Sequence, residues 1–378
     1  MIEADKFLGA LQKNGINFFT GVPDSLLKDV CAYINQNLPS DRHIIATNEG
    51  SAVGLAIGHY LATSNPALVY MQNSGLGNAI NPLVSLADSK IYGIPMVLMI
   101  GWRGEIQTDK SQLKDEPQHL KQGRITLGQL ELLGIPWELI DKESDIENKI
   151  EKLAKLTKER AGPVALVVRK GTFATFKENF VENATLPKRE QVISSLLEHI
   201  PDNFPIVSTT GMASRELFEL RKAKKNGHQR DFLTVGGMGH ALAIASGIAL
   251  GKTDNKVVCM DGDGALLMHM GALAVSSELE NLIHVVLNNG AHDSVGGQPT
   301  RAAEVCLSDI ARCCGYSLTL FVDESADIIE AVNKAVSYKG SVFLEIKCRR
   351  GSRKDLGRPD RTPIENRDEL MKFLRGIL

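Results

Sequence analysis

Two short segments carry the side chains best suited to chemistry. Asp261-Gly262-Asp263-Gly264 follows an apolar run at once, and Asn289 stands 26 positions after Asp263 at the end of the next apolar run. A carboxylate and an amide oxygen brought together suit a hard divalent cation such as Mg2+. That ion keeps few protein ligands and completes its shell with phosphate and water oxygens. Gly262 and Gly264 permit the tight turn and close backbone approach that a bulky anion needs. A Gly-Asp-Gly turn alone is common; joined to an Asn across a strand–helix–strand crossover of this length, it specifies a site. The helix expected after it, at about 267–280, would point its N-terminus at the same spot.

Other residues are candidates with two readings each. Glu49 follows the apolar run 43–47 and opens a helical pattern, where an acid is favourable in any case. Ser25, next to Asp24, serves equally as an N-cap for a helix beginning near Leu26. Met238, in Gly236-Gly237-Met238-Gly239, would alone pass for a core methionine. His119 and His292 titrate near neutral pH and are candidates for proton transfer, or are merely solvated loop residues.

These residues need elements to position them. Short apolar runs alternate with helical patterns along the whole chain, at 17–20, 43–47, 67–71, 95–100, 137–140 and 164–169, then at 205–208, 232–235, 256–260, 282–287, 317–321 and 342–347. That rhythm predicts α/β architecture with two parallel sheets, each covered by helices on both faces. A shift of 189 positions superposes Thr20 on Thr209, Glu49 on Met238, Gly58 on Gly247 and Gly75 on Gly264, as expected of two domains of one design. The expected boundaries are 1–175 and 189–378, with the polar stretch 176–188 as linker. Residues 105–122, polar and without periodicity, read as a mobile loop.

Composition narrows the classes. The 378 residues carry a formal net charge of −2, which gives no electrostatic case for nucleic acid or an anionic membrane as partner. No apolar run approaches the roughly 20 residues of a membrane span. Six cysteines without paired spacing fit a reducing, cytoplasmic setting. A nucleotide-binding or regulatory protein on the same scaffold is a rival reading, but neither a GxGxxG after the first strand of either half nor a Walker sequence is present.

The Gly-Asp-Gly turn with its downstream Asn pair resembles the thiamine-diphosphate enzymes. That resemblance implies two doubly wound parallel-sheet domains, a pyrimidine-binding domain (1–175) before a pyrophosphate-binding domain (189–378), with thiamine diphosphate and Mg2+ as cofactors. It makes Asp263 and Asn289 the side-chain metal ligands and the backbone carbonyl of Ala291 the third. Gly262, Gly264 and Ala265 would lie along the diphosphate, Ala265 standing where the family usually has a small polar residue. Glu49 becomes the carboxylate that bonds N1′ of the aminopyrimidine, and Met238, after Gly237, the apolar wedge that bends the cofactor. In the family these residues meet across subunits, which implies a homo-oligomer, at least a dimer.

Size, domain order and four motifs resemble the phosphonopyruvate decarboxylase family more narrowly. The motifs are Thr20–Ser25 (TGVPDS), Gly101–Glu105 (GWRGE), Asp115–His119 (DEPQH) and Asn289–Ser294 (NGAHDS). Sulfopyruvate decarboxylases share much of this set, and an acetolactate-type carboligase is a more distant alternative. A small 2-oxo acid with a phosphonate would carry close to three negative charges, so guanidinium groups are expected around it. Arg103 and Arg301 are candidates, followed by Arg353 and Arg358. Asp24 and Ser25 occupy the loop that approaches substrate in related decarboxylases.

Overall fold

The computed structural model describes residues 1–177, 185–224, 227–251 and 255–377. Most of the expected linker, residues 178–184, lies outside them. The chain divides into two compact units, Met1–Phe180 and Val181–Leu378.

The first unit holds β1 (Phe19–Gly21), β2 (His43–Ile45), β3 (Ala67–Gln72), β4 (Met96–Gly101), β5 (Trp137–Ile140) and β6 (Pro163–Val168). They form one parallel sheet in the order β2-β1-β3-β4-β6-β5. The second unit holds β7 (Ile206–Ser208), β8 (Asp231–Leu233), β9 (Val257–Gly262), β10 (Leu282–Asn288), β11 (Leu318–Val322) and β12 (Val342–Lys347). Its sheet, also parallel, runs β11-β12-β10-β9-β7-β8. Read from the opposite edge, that is the order of the first sheet with each strand advanced by six. Every apolar run singled out in the sequence is one of these strands, and the 189-residue correspondence is a correspondence of topology.

Both faces of each sheet are buried, as parallel sheets require. Along β3 and β4, Leu68, Tyr70, Val97 and Met99 enter one core while Val69, Met71, Leu98 and Ile100 enter the other. Period-two alternation of uniformly apolar residues thus serves two layers of helices. Each such side chain, fully removed from water, contributes about 1.5–3 kcal/mol.

Helix Glu49–Thr63 starts where Asn48 caps it, its side chain accepting from Ser51 N–H at 2.8 Å. The helix expected at 267–280 differs from expectation. It begins earlier, as Asp263–Met268, is interrupted at His269 (φ −135°, ψ 44°), and resumes as Ala272–Ser276 after Gly271. Residues 105–122 also differ. Pro117 opens a helix, Pro117–Leu132, and the loop before it is tied by Gln112, whose side-chain N–H groups reach the carbonyls of Gly104 and Leu120 at 2.7 Å each. Among the described residues no helix is long and apolar enough to cross a membrane.

Candidate active site

In the first unit the chemically capable residues collect at the carboxyl ends of four adjacent strands, the usual ligand-facing end of such a sheet. Past β2, Glu49 is the first residue of its helix and is buried. Burial raises its pKa above the ordinary glutamate value, against the hydrogen bond that Asn78 Nδ2 donates to Oε2 at 2.8 Å. Past β3, the turn Asn73–Gly75 runs so close that a Cβ on Gly75 would sit 2.5 Å from Glu49 Oε1. Only glycine lets the carboxylate occupy that place.

The same turn reaches the end of β4. Asn73 Nδ2 donates to the Arg103 carbonyl at 3.0 Å, and Arg103 N–H donates to Asn73 Oδ1 at 3.3 Å. The Arg103 guanidinium grips Asp115 with two N–H groups, Nε to Oδ2 at 2.8 Å and Nη2 to Oδ1. Its Nη1 donates to Ser25 Oγ at 2.7 Å. The Asp115 carboxyl is desolvated, yet the Arg103 bonds outweigh that and hold its pKa at about 2. Asp24, beyond β1, is fully buried, with Oδ2 accepting from Leu26 N–H at 2.9 Å. Burial pushes its pKa up to about 6, against those backbone bonds and the nearby Arg103 charge. The structure therefore brings Asp24, Ser25 and Arg103 together. His119 is buried in the helix Pro117–Leu132, near enough to Asp115 to act on its charge.

In the second unit an open cleft lies at the corresponding strand ends and is lined by Met238, Gly262, Asp263, Gly264, Ala265, Asn289, Ala291 and His292, among others. Gly237, beside Met238, takes a left-handed φ of +62°. Asp263 is buried, and its carboxylate accepts from the Thr300 hydroxyl and from the backbone N–H groups of Gly264 and Asn289. Burial raises its pKa to about 6, beyond what those bonds recover. Among the described residues no Lys or Arg pairs with it. A buried carboxylate lacking a cation, facing a cleft beside an amide oxygen and glycine backbone, fits a divalent ion carrying phosphate oxygens. His292 lies 3.0 Å from where a Gly264 Cβ would stand, and burial lowers its pKa to about 4, which leaves the ring neutral near pH 7.

Three arginines stand apart from this cleft. Arg301 is exposed and pairs with Glu304. Arg353 meets three carboxylates, Glu190, Glu219 and Asp355. Arg358 is exposed. Sequence reasoning missed Asn73, Asn78, Thr300 and Arg189; Gly75, through its correspondence with Gly264, and Asp115, in the DEPQH motif, stood out in the sequence but without a role.

Residues 3–123 match the family model of the thiamine pyrophosphate enzyme N-terminal TPP binding domain, and residues 209–346 match that of the C-terminal TPP binding domain. The phosphonopyruvate decarboxylase of Streptomyces viridochromogenes is 34% identical over 384 residues, covering 97% of this chain and 93% of the relative. That of Streptomyces hygroscopicus is 32% identical, covering 97% and 92%. The sulfopyruvate decarboxylase of Methanosarcina acetivorans is 28% identical, covering 92% of each. The chain therefore belongs to the phosphonopyruvate decarboxylase family of thiamine pyrophosphate enzymes.

Proposed function

We propose that this protein converts 3-phosphonopyruvate to phosphonoacetaldehyde and CO2 with thiamine diphosphate and Mg2+. The observation that carries the reading is the Glu49 carboxylate, buried at the end of β2, oriented by Asn78 and accommodated by a side-chain-free Gly75. Asp263, Asn289 and the Ala291 carbonyl would hold Mg2+, Gly262, Gly264 and Ala265 would face the diphosphate, and Met238 would back the rings. When bound, thiamine diphosphate supplies a carbon nucleophile for the keto group and an electron sink for the departing CO2.

The remaining work falls to this chain's own residues. Glu49, its proton held more firmly by burial, keeps and releases a proton at N1′ of the aminopyrimidine. Ser25 Oγ accepts from Arg103, so its own O–H hydrogen is left to donate to a substrate carboxylate. Arg103, its direction fixed by Asp115, supplies positive charge at that end of the site. His292, neutral near pH 7, is a candidate to hand a proton to the product, as is His119. Sulfopyruvate is the second substrate reading, favoured by the full-length likeness to the Methanosarcina relative.

The assembly in this reading is a homo-oligomer, at least a dimer, with Glu49 of one chain and Asp263 of another serving one cofactor. Exposed apolar side chains recur at matching places in the two units: Leu61 (71% exposed) with Leu250 (69%), and Leu86 (39%) with Val275 (71%). Such repeated apolar exposure supports faces that are covered by another copy. Six cysteines outside any disulfide support a cytoplasmic location. The test is Glu49→Gln. Thiamine diphosphate binding should stay within a few-fold of wild type while turnover falls ~10²–10⁴-fold; near-normal turnover would refute the assignment.

A further inference from the structure

Three separate stretches of the second unit converge on one carboxylate oxygen. Asp293 Oδ2 accepts from Asn289 Nδ2 at 2.6 Å, from Arg189 Nη1 at 2.7 Å and from Gly351 N–H at 3.0 Å. Arg189 opens the helix Arg189–His199, and Gly351 lies in the loop after β12. The Arg189 guanidinium is itself gripped by Glu216, Nε to Oε2 at 2.7 Å and Nη2 to Oε1 at 3.0 Å. Arg189 and Glu216 are buried, and Arg189 and Asp293 both line the cleft that contains Asp263 and Asn289.

An asparagine amide has a donor end and an acceptor end of nearly the same shape, and only the acceptor end can ligate a cation. A carboxylate accepts and never donates, so Asp293 can meet only the NH2 end of Asn289. The amide oxygen is thereby turned away. It takes the Ala291 N–H at 3.1 Å and retains a second lone pair. A buried ionic triad adds little net stability over apolar packing, so what Arg189–Glu216–Asp293 contributes is geometry.

We propose that Asp293 is the positioning residue that sets Asn289 as a cation ligand, with Arg189 and Glu216 holding Asp293 in place. The inference rests on the Mg2+–thiamine diphosphate reading of this cleft.

The test is calorimetric titration of Mg2+ into the full-length protein at a fixed, saturating concentration of thiamine diphosphate, with thermal melts of the same samples. Asp293→Ala should weaken Mg2+ binding ~10–100-fold, the usual loss when a ligand's outer partner is removed. In Asp293→Asn the Arg189 and Gly351 donors hold the amide oxygen in the place of Oδ2, so it still accepts from Asn289 and should recover Mg2+ binding to within about threefold of wild type. A folded Asp293→Ala that binds Mg2+ as wild type does overturns the proposal, as does an Asp293→Asn no better than Asp293→Ala. Should Asp293→Ala fail to fold, Glu216→Gln carries the test, since it loosens Arg189 without touching the 289–293 loop. It should weaken Mg2+ binding about threefold or more, and unchanged binding refutes the proposal. Wild type that takes up no thiamine diphosphate with Mg2+ removes the cofactor reading and this inference together. Wild type that binds while every variant binds equally removes the inference alone.

Discussion

Replacing Asp263 with asparagine removes a buried charge that the metal-free protein holds at a cost. Burial raises the Asp263 pKa from its ordinary 3.8 to about 6. The folded chain then binds that proton more tightly than the unfolded chain. Its contribution to stability is complete below pH 3.8 and is gone once the pH has risen through about 6. At 1.36 kcal/mol per pH unit, the ionised carboxylate costs the metal-free protein roughly 3 kcal/mol at pH 8. Asparagine avoids that cost but weakens the bonds from Thr300 and the backbone by about 1 kcal/mol. The net gain at pH 8 is about 2 kcal/mol, or about 4–8 °C in Tm for a unit of this size. Scanning calorimetry without Mg2+ should therefore show Asp263→Asn melting clearly higher than wild type at pH 8, and by a much smaller margin at pH 5, where only about half of that cost is present. Mg2+ and thiamine diphosphate at ~100 times their Kd add about 2.7 kcal/mol to a protein that binds them. Wild type should gain this, Asp263→Asn should not, and their order should reverse. A variant that melts lower than wild type at both pH values without Mg2+ would refute the claim that Asp263 is an uncompensated buried charge.

Gly75→Ala tests the placement of Glu49. The backbone there is ordinary, and the atoms nearest the added methyl all belong to the Glu49 side chain, which must shift. Turnover should fall ~10²-fold, the typical cost of a misplacement near 1 Å, while thiamine diphosphate still binds; unchanged turnover would count against Glu49. Arg103→Lys keeps the charge but loses the two-pronged grip on Asp115, and with it the fixed donor to Ser25. KM for the 2-oxo acid should rise about tenfold, and steady-state kinetics that show KM unmoved would remove Arg103 from the substrate end.

How legible all this was depended on sequence distance. The strands were visible because a parallel sheet buried on both faces leaves apolar runs that flanking polar residues delimit, as at 164–169 for β6. Glu49, Asp263 and Asn289 were visible because each stands where an apolar run ends. The roles of Gly75 and Asn78 were not, since what marks them is contact with a residue 26 to 29 positions back and not any local pattern. The Arg103–Asp115 clamp spans an irregular loop that has no period to read. Thr300 reaches Asp263 across 37 positions, and Arg189 reaches Asp293 across 104. The arginines picked for substrate were chosen by charge alone, which finds cations but not their partners; Arg301 and Arg353 are each occupied by acids nearby. The helix after Asp263 was misjudged because apolar periodicity at 267–280 continues through His269 and Gly271, where the backbone itself turns out of the helix.

The measurement that bears most directly on the account is a steady-state comparison of 3-phosphonopyruvate, 3-sulfopyruvate and pyruvate, following CO2 and free aldehyde with and without Mg2+ and thiamine diphosphate. The account predicts release of CO2 with free aldehyde, dependence on both cofactors, and the highest kcat/KM for 3-phosphonopyruvate. A preference for 3-sulfopyruvate would correct the substrate, and a condensed product in place of the aldehyde would mark a carboligase. Turnover that persists without thiamine diphosphate, or none with any of the three acids, would contradict the central claim.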